Sequence, residues 1–208
     1  MSITDYAITT WDFLFGGSAR TPNKSLPIQP VDLSHLNNPG GNQFNVTWPG
    51  HSSLMINLDG YRILADPVFE RRISLLGPTR FNGDVPLDIK QLPAIDVIII
   101  SHDHYDHLNK YSVRHLNKRT KLFIVPLAVG NRLATWGISR EKIIELDWWE
   151  EYRFDRNLKI IATPAQHFSG RGLNDRNKTL WASWVVSGPN HKLFFSGDSG
   201  YFDGFKKI

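Results

Sequence analysis

Apolar positions in this chain fall into short runs separated by turn residues, and only two stretches keep a helical period. Phe44–Trp48, Ser53–Leu58 and Tyr61–Ala65 predict three strands, with Asp59-Gly60 as the hairpin turn between the last two. Asp66-Pro67 stops the third run. Ile95–Ile100 is almost wholly apolar, the pattern of a strand buried on both faces. Further strands are predicted at Leu122–Val125, Lys142–Leu146, Leu158–Thr163, Leu180–Val186 and Lys192–Phe195, with Ser187-Gly188-Pro189-Asn190 turning into the last. Lys110–Lys118 and Leu127–Trp136 are predicted helices. Residues 18–43 are rich in Pro, Asn, Gly and Ser, and 69–93 read as an irregular loop. The expected organisation is an N-terminal arm, 1–43, and one domain, 44–208.

The polar residues that follow these strands carry the chemistry. Directly after Ile95–Ile100 comes Ser101-His102-Asp103-His104-Tyr105-Asp106-His107. Side chains two apart on an extended chain share a face, so His102 and His104 can hold one metal ion. Asp106 and His107 follow a turn and can reach a second ion. Imidazole and carboxylate suit zinc, and also iron or manganese. A histidine-rich surface loop would explain one or two histidines, but not this HxHxDH spacing at the end of an apolar strand. Two other strands end alike, one at His167 and one at Asp198. Alone, His167 reads as a structural histidine and Asp198 as a turn aspartate. Together with the first cluster they make one rim of ligands. Asp103 has no coordinating place in the motif and reads either as a proton shuttle or as a structural hydrogen-bond partner.

Composition narrows the partners. The 208 residues suit one domain, and the absence of cysteine excludes disulfides and thiolate metal sites. The net charge of +4 is spread over both signs without a basic block, so nucleic acid is not an expected partner. Met1–Gly17 has no basic start before its apolar residues, and no apolar run reaches the ~18 residues of a membrane span. The expected location is cytoplasmic, with at most peripheral contact to a membrane.

Several segments resemble one family. HxHxDH, the later His167 and the later Asp198 resemble the metallo-β-lactamase fold superfamily. Within it, the likeness is to N-acylphosphatidylethanolamine-hydrolysing phospholipase D and its bacterial relatives. It is carried by Trp48-Pro49-Gly50-His51-Ser52, Ala65-Asp66-Pro67, Gly77-Pro78-Thr79-Arg80-Phe81 and Ser101–Leu108. Glu145–Glu151, Thr163–His167, Leu180–Trp184 and Phe194–Tyr201 carry it further. The resemblance implies an α+β fold, a four-layer αββα sandwich with its site between two sheets. It implies two zinc ions: His102, His104 and His167 on the first, Asp106 and His107 on the second, and Asp198 bridging. Asp66 would orient loop and ligands without touching a metal, and His51 would lie near the site.

The family takes one more histidine for the second ion from a strand well downstream of the bridging aspartate. Here only ten residues follow Asp198, His191 lies in a turn and His115 inside a helix. The expectation is a sandwich truncated in its second half, with the second ion loose or absent. The leading functional reading is phosphodiester hydrolysis by a metal-bound hydroxide, with Asp198 and Asp103 as catalytic candidates. By resemblance the substrate is an N-acylated phosphatidylethanolamine or a similar lipid. The alternatives are a lactonase or other small phosphoester hydrolase, or an inactive remnant. A wide apolar entrance, for which Trp148, Trp149 and Phe168 are candidates, would favour the lipid reading.

Overall fold

The apolarity of Ile95–Ile100, broken only at Asp96, follows from what covers it on both sides. The computed structural model describes residues 22–32, 34–73, 79–81, 83, 85–172 and 174–208, with five isolated positions (4, 7, 8, 11 and 15) before them. Strands β1 (Phe44–Gly50), β2 (Ser53–Leu58), β3 (Tyr61–Ala65), β4 (Ile95–Ile99), β5 (Thr120–Pro126) and β6 (Ile143–Leu146) form one six-stranded sheet in that order. The first three strands pair antiparallel, and β3 to β6 run parallel. The hairpin between β2 and β3 turns at Asp59-Gly60, both at positive φ, as a two-residue turn of this kind requires. Strands β7 (Glu151–Arg153), β8 (Lys159–Thr163), β9 (Ser183–Ser187) and β10 (Lys192–Phe195) form a second, antiparallel sheet in the order β10-β9-β8-β7.

Alternation along the central strands sorts their side chains into two cores. Met55, Leu64, Ile98, Phe123 and Val125 pack against the helices α1 (Ser34–Asn37), α2 (Lys110–Leu116) and α3 (Val129–Thr135) through Leu36, Val113, Leu116, Val129 and Leu133. Ile56, Ile63, Val97, Ile99 and Ile124 point the other way, onto Ile160, Ala162, Trp184 and Val186 of the smaller sheet. The parallel strands are therefore covered on both faces, as parallel sheets require. The result is the expected mixed sandwich, in the order helices, sheet, sheet. Among the described residues no α-helix covers the outer face of the smaller sheet, where Phe194 is exposed and leans on Phe205.

The departures from expectation have local causes. The strand predicted from Leu180 begins only at Ser183, because the N–H groups of Leu180 and Ala182 donate to Leu127 and Ser101 in the other layer. Strand β7 was not predicted; it has three residues, too few for a periodic signal. Helix α3 starts two residues late because Ala128 is left-handed (φ 66°). Much of the predicted arm, up to residue 21, lies outside the described residues, as do Gly77 and Pro78 of the 69–93 loop. From 22 to 43, α1 is the only helix or strand among the described residues.

Trp184 ties the layers together. Its ring is fully buried between the sheets, and its Nε1 donates to the Ile100 carbonyl (3.0 Å), one residue before the histidine motif. Trp184→Ala is expected to lower unfolding free energy by ~3–5 kcal/mol. Trp184→Phe should cost less, ~1–3 kcal/mol, the penalty of an unpaired buried carbonyl. Denaturant titration of the two variants checks the order.

Candidate metal centre

Leaving β4, the chain stays extended through His102 and His104, and their rings converge. His102 Nε2 lies 2.8 Å from His104 Nδ1, and His167 Nε2 lies 3.2 Å and 3.3 Å from those two atoms. Ligands around a tetrahedral zinc at ~2.0–2.1 Å are about 3.3 Å apart, so the triangle has the size one ion needs. The buried tautomer agrees. Ser101 Oγ donates to Asp66, so it must accept from His102 Nδ1–H (2.9 Å), which leaves the Nε2 lone pair facing the other rings. Burial, and then the neighbouring histidines, push His102 down to about 2, and burial also lowers His104 and His167. Neutral imidazoles are the form that binds metal.

A second cluster adjoins the first. His107 is fully buried; its Nδ1 lies 2.7 Å from Asp66 Oδ2 and its Nε2 3.2 Å from Asp198 Oδ2. Burial alone would lower it, but hydrogen bonds to Asp198 and Asp66 carry it up to about 10. Asp198 Oδ2 also lies 3.8 Å from His167 Nε2, between the two clusters. Hydrogen bonding to His107, set against partial burial, holds its carboxyl down at about 2. Asp106 lies 3.9 Å from His107 Nε2 and 3.0 Å from His51 Nε2. Burial opposes ionisation of Asp106, and the bond to His51 and the charge of His107 overcome it and lower its pKa. Oxygen and nitrogen donors without sulfur suit zinc, iron or manganese.

The two other loops are clipped to this motif. Gly197 (φ 54°) passes so close to Ser101 that a Cβ would meet the serine Cβ at 2.5 Å, so Asp198 reaches the rim only behind a glycine. Gly200 N–H donates to Gln166 O, joining the Asp198 loop to the His167 loop. Asp103 is buried, and both its oxygens are taken, by Gly170 N–H and Arg132 Nε (2.7 Å each). Of its two readings, only the structural hydrogen bond has its partners in place. His191 bonds Asp59, and His115 bonds the Tyr111 carbonyl, so neither joins the rim.

Sequence reasoning missed two features. Arg171 stacks on Tyr105 (3.8 Å) and donates to the carbonyls of Asp103 and Leu108, which ties the HxHxDH loop from outside. No local spacing marks it; four residues after His167 is a position like any other. The second is a cavity of about 650 Å³ whose lining includes His51 and Asp106. Leu26, Ile28, Trp48, Ile73 and Phe81 line it. The expected entrance residues lie elsewhere. Trp148 packs beside Trp181 and donates to its carbonyl, Trp149 is exposed, and Phe168 leans on His104 and His167 under Arg176.

Residues 61–208 match the model of the β-lactamase superfamily domain. The chain belongs to the metallo-β-lactamase fold superfamily. It is 40% identical over 205 residues to an uncharacterized protein of Mycobacterium tuberculosis, covering 97% of this chain and 54% of that one. It is 36% identical over 199 residues to N-acyl-phosphatidylethanolamine-hydrolyzing phospholipase D 1 of Caenorhabditis elegans, covering 89% and 55%. The chain thus spans about half the length of these curated relatives. Among solved structures, a metallo hydrolase from Ignicoccus hospitalis superimposes with a TM-score of 0.57 at 22% identity, over 79% of this chain and 65% of that one. An isothiocyanate hydrolase from Delia radicum gut bacteria gives 0.61 at 18%, over 78% and 65%. These two likenesses show the superfamily fold.

Within that fold, His102→Ala, His104→Ala and His167→Ala are each expected to lose most of the bound metal. His115→Ala is expected to lose none. Elemental analysis after dialysis decides, and equal loss across all four variants would show that the triangle is not the site.

Proposed function

We propose that the protein containing this chain is a metal-dependent phosphodiesterase of phospholipase D type, acting on N-acylated phosphatidylethanolamine or a similar lipid. The observation that carries the reading is the largely apolar cavity whose lining includes His51 and Asp106. A lactone or a small phosphoester needs a small polar pocket, whereas an acyl chain needs a long apolar one. The name of the Caenorhabditis elegans relative adds support from a separate source.

His102, His104 and His167 would hold one ion, and Asp106, His107 and Asp198 a second. Two such ions, when bound, supply a water acidified toward neutral pH and positive charge for a transferring phosphoryl group. Asp66 keeps the His107 proton on Nδ1, so that Nε2 faces the rim. The cavity wall keeps water from the acyl chain, and Arg80, which also lines it, offers charge to a phosphate. Water adds across the phosphodiester, the bond from phosphorus to the ethanolamine oxygen breaks, and the products are phosphatidic acid and an N-acylethanolamine.

The membrane side of the proposal rests on the edge strand. Phe44, Val46 and Trp48 share one face of β1 and are all exposed, Trp48 by 66%. The row leads into the cavity at Trp48 and gives a lipid surface an apolar contact. No helix among the described residues is long and apolar enough to cross a membrane.

The metal-loaded protein is expected to release phosphatidic acid and an N-acylethanolamine from vesicles, read by mass spectrometry. Ile28→Glu puts a carboxylate where the acyl chain would lie, and should lower lipid turnover by roughly tenfold or more. A small soluble phosphodiester should be hydrolysed by this variant at the unchanged rate. Turnover of a lactone or a β-lactam without lipid cleavage would reverse the reading.

A further inference from the structure

Positive charge gathers where no basic run marks it. Residues 107–140 hold seven Lys and Arg side chains and no Asp or Glu. The seven are scattered in sequence, and folding brings three of them into line. Lys110, Arg114 and Lys118 lie four residues apart along α2 and the 3₁₀ turn that continues it, Asn117–Arg119. That spacing puts them on one side of the helix. All three are exposed, while Ser112, Val113 and Leu116 fill the other side and are buried. At 1.5 Å per residue the row is about 12 Å long.

Other cations of the stretch are taken up by the fold. Lys121 pairs with Asp96, and Arg132 with Asp103 and Asp175. Arg119 donates to the carbonyls of Ile89, Lys90 and Leu92. No ion pair engages Lys110, Arg114 or Lys118 among the described residues. Like charges four apart on a helix repel, so the row is a cost to the isolated chain. Glu70 shares a recess with Lys110, Tyr111, Arg114 and His115, but its carboxylate is taken by Asn109 Nδ2 (2.6 Å). Tyr111 and His115 lean on each other among the cations, with ring centroids 3.9 Å apart. The helix also joins the wall of the apolar cavity. Ser112 Oγ accepts from Phe69 N–H, and the neighbouring Val68 lines that cavity.

We infer that this basic face of α2 is a docking surface for an anionic lipid bilayer. The choice of a lipid partner rests on the proposed lipid substrate; the unpaired positive row stands without it. A convex row of cations with a tyrosine among them fits a flat layer of phosphates, with Tyr111 at headgroup depth. A single-stranded nucleic acid needs a groove with open stacking platforms, and the Tyr111 ring is already against His115. Docking through α2 adds to the apolar contact of β1 an attraction that depends on lipid charge and on salt. It also holds the cavity wall close to the layer from which a lipid would enter.

Flotation of the whole chain with vesicles that contain no substrate lipid tests it, independently of turnover. Binding is expected to rise when phosphatidylglycerol replaces part of the phosphatidylcholine, and to fall between ~0.05 M and ~0.5 M salt. The triple variant Lys110→Gln, Arg114→Gln, Lys118→Gln should bind anionic vesicles on the order of a hundredfold more weakly, about fivefold per charge. The triple variant Arg153→Gln, Arg156→Gln, Lys159→Gln removes the same charge from the smaller sheet and should bind as wild type does. Equal loss in both would reduce the effect to net charge and overturn the assignment. So would binding that ignores lipid charge, or tighter retention by duplex DNA than by anionic vesicles at the same salt. Acetylation footprinting needs no variant: on wild type, anionic vesicles should shield Lys110 and Lys118 and leave Lys192 of β10 reactive. Equal reactivity of the three with and without vesicles would also overturn it. The two readings fail separately. If vesicles bind through α2 and no lipid is cleaved, the substrate reading falls and the docking surface stands. If lipid is cleaved while Lys110 and Lys118 stay reactive, only this inference falls.

Discussion

One buried carboxylate organises the rim. Asp66 has no solvent exposure, and a buried charge is tolerable only when fully paired. Here it accepts from Ser101 N–H, from Ser101 Oγ and from His107 Nδ1. Its own N–H donates to Ile99, and its carbonyl accepts from Ser53 Oγ. One residue at the end of β3 thereby fixes where the next strand's loop leaves the sheet, and which nitrogens of His102 and His107 face outward. Removing it would strand buried partners at a cost of ~3–5 kcal/mol. It would also free both imidazoles to take the wrong tautomer.

The rest of the site is a consequence of packing two sheets face to face. Ala182 N–H donates to Ser101 O and Trp184 Nε1 to Ile100 O, so the smaller sheet grips the backbone just before the histidines. The strands of that sheet then deliver His167 and Asp198 to the same rim. At the far end, Asp59 accepts from the backbone of Asn190 and His191 and from the His191 ring. The two sheets are pinned at both ends, which gives the rim a rigid base. Rigidity of this kind is what a pair of ions needs, since the positions of their ligands must not drift.

Function on a lipid would depend on a part of the chain remote from the motif in sequence. Leu26 and Ile28 come from the stretch read as a featureless arm, and with Trp48 and Phe81 they wall the cavity. Under the proposed function, that apolar wall beside carboxylates and imidazoles would suit an acyl chain and a phosphate.

The superfamily fold and the residues of the rim were legible in the chain itself. Strand ends and ligand types are local, and HxHxDH after an apolar run needs only the two-residue period to show that His102 and His104 face one way. The hairpin at Asp59-Gly60 was legible for the same reason, since positive φ is a property of a single turn. Three things required the tertiary structure. The fate of Asp103 depended on Arg132 and Gly170, 29 and 67 residues away along the chain. The closeness of His51 to Asp106 spans 55 residues. The cavity joins residues from 26 to 106. Sequence periodicity reports which face a side chain takes on its own element; which other face it meets is set by how the two sheets and their loops pack.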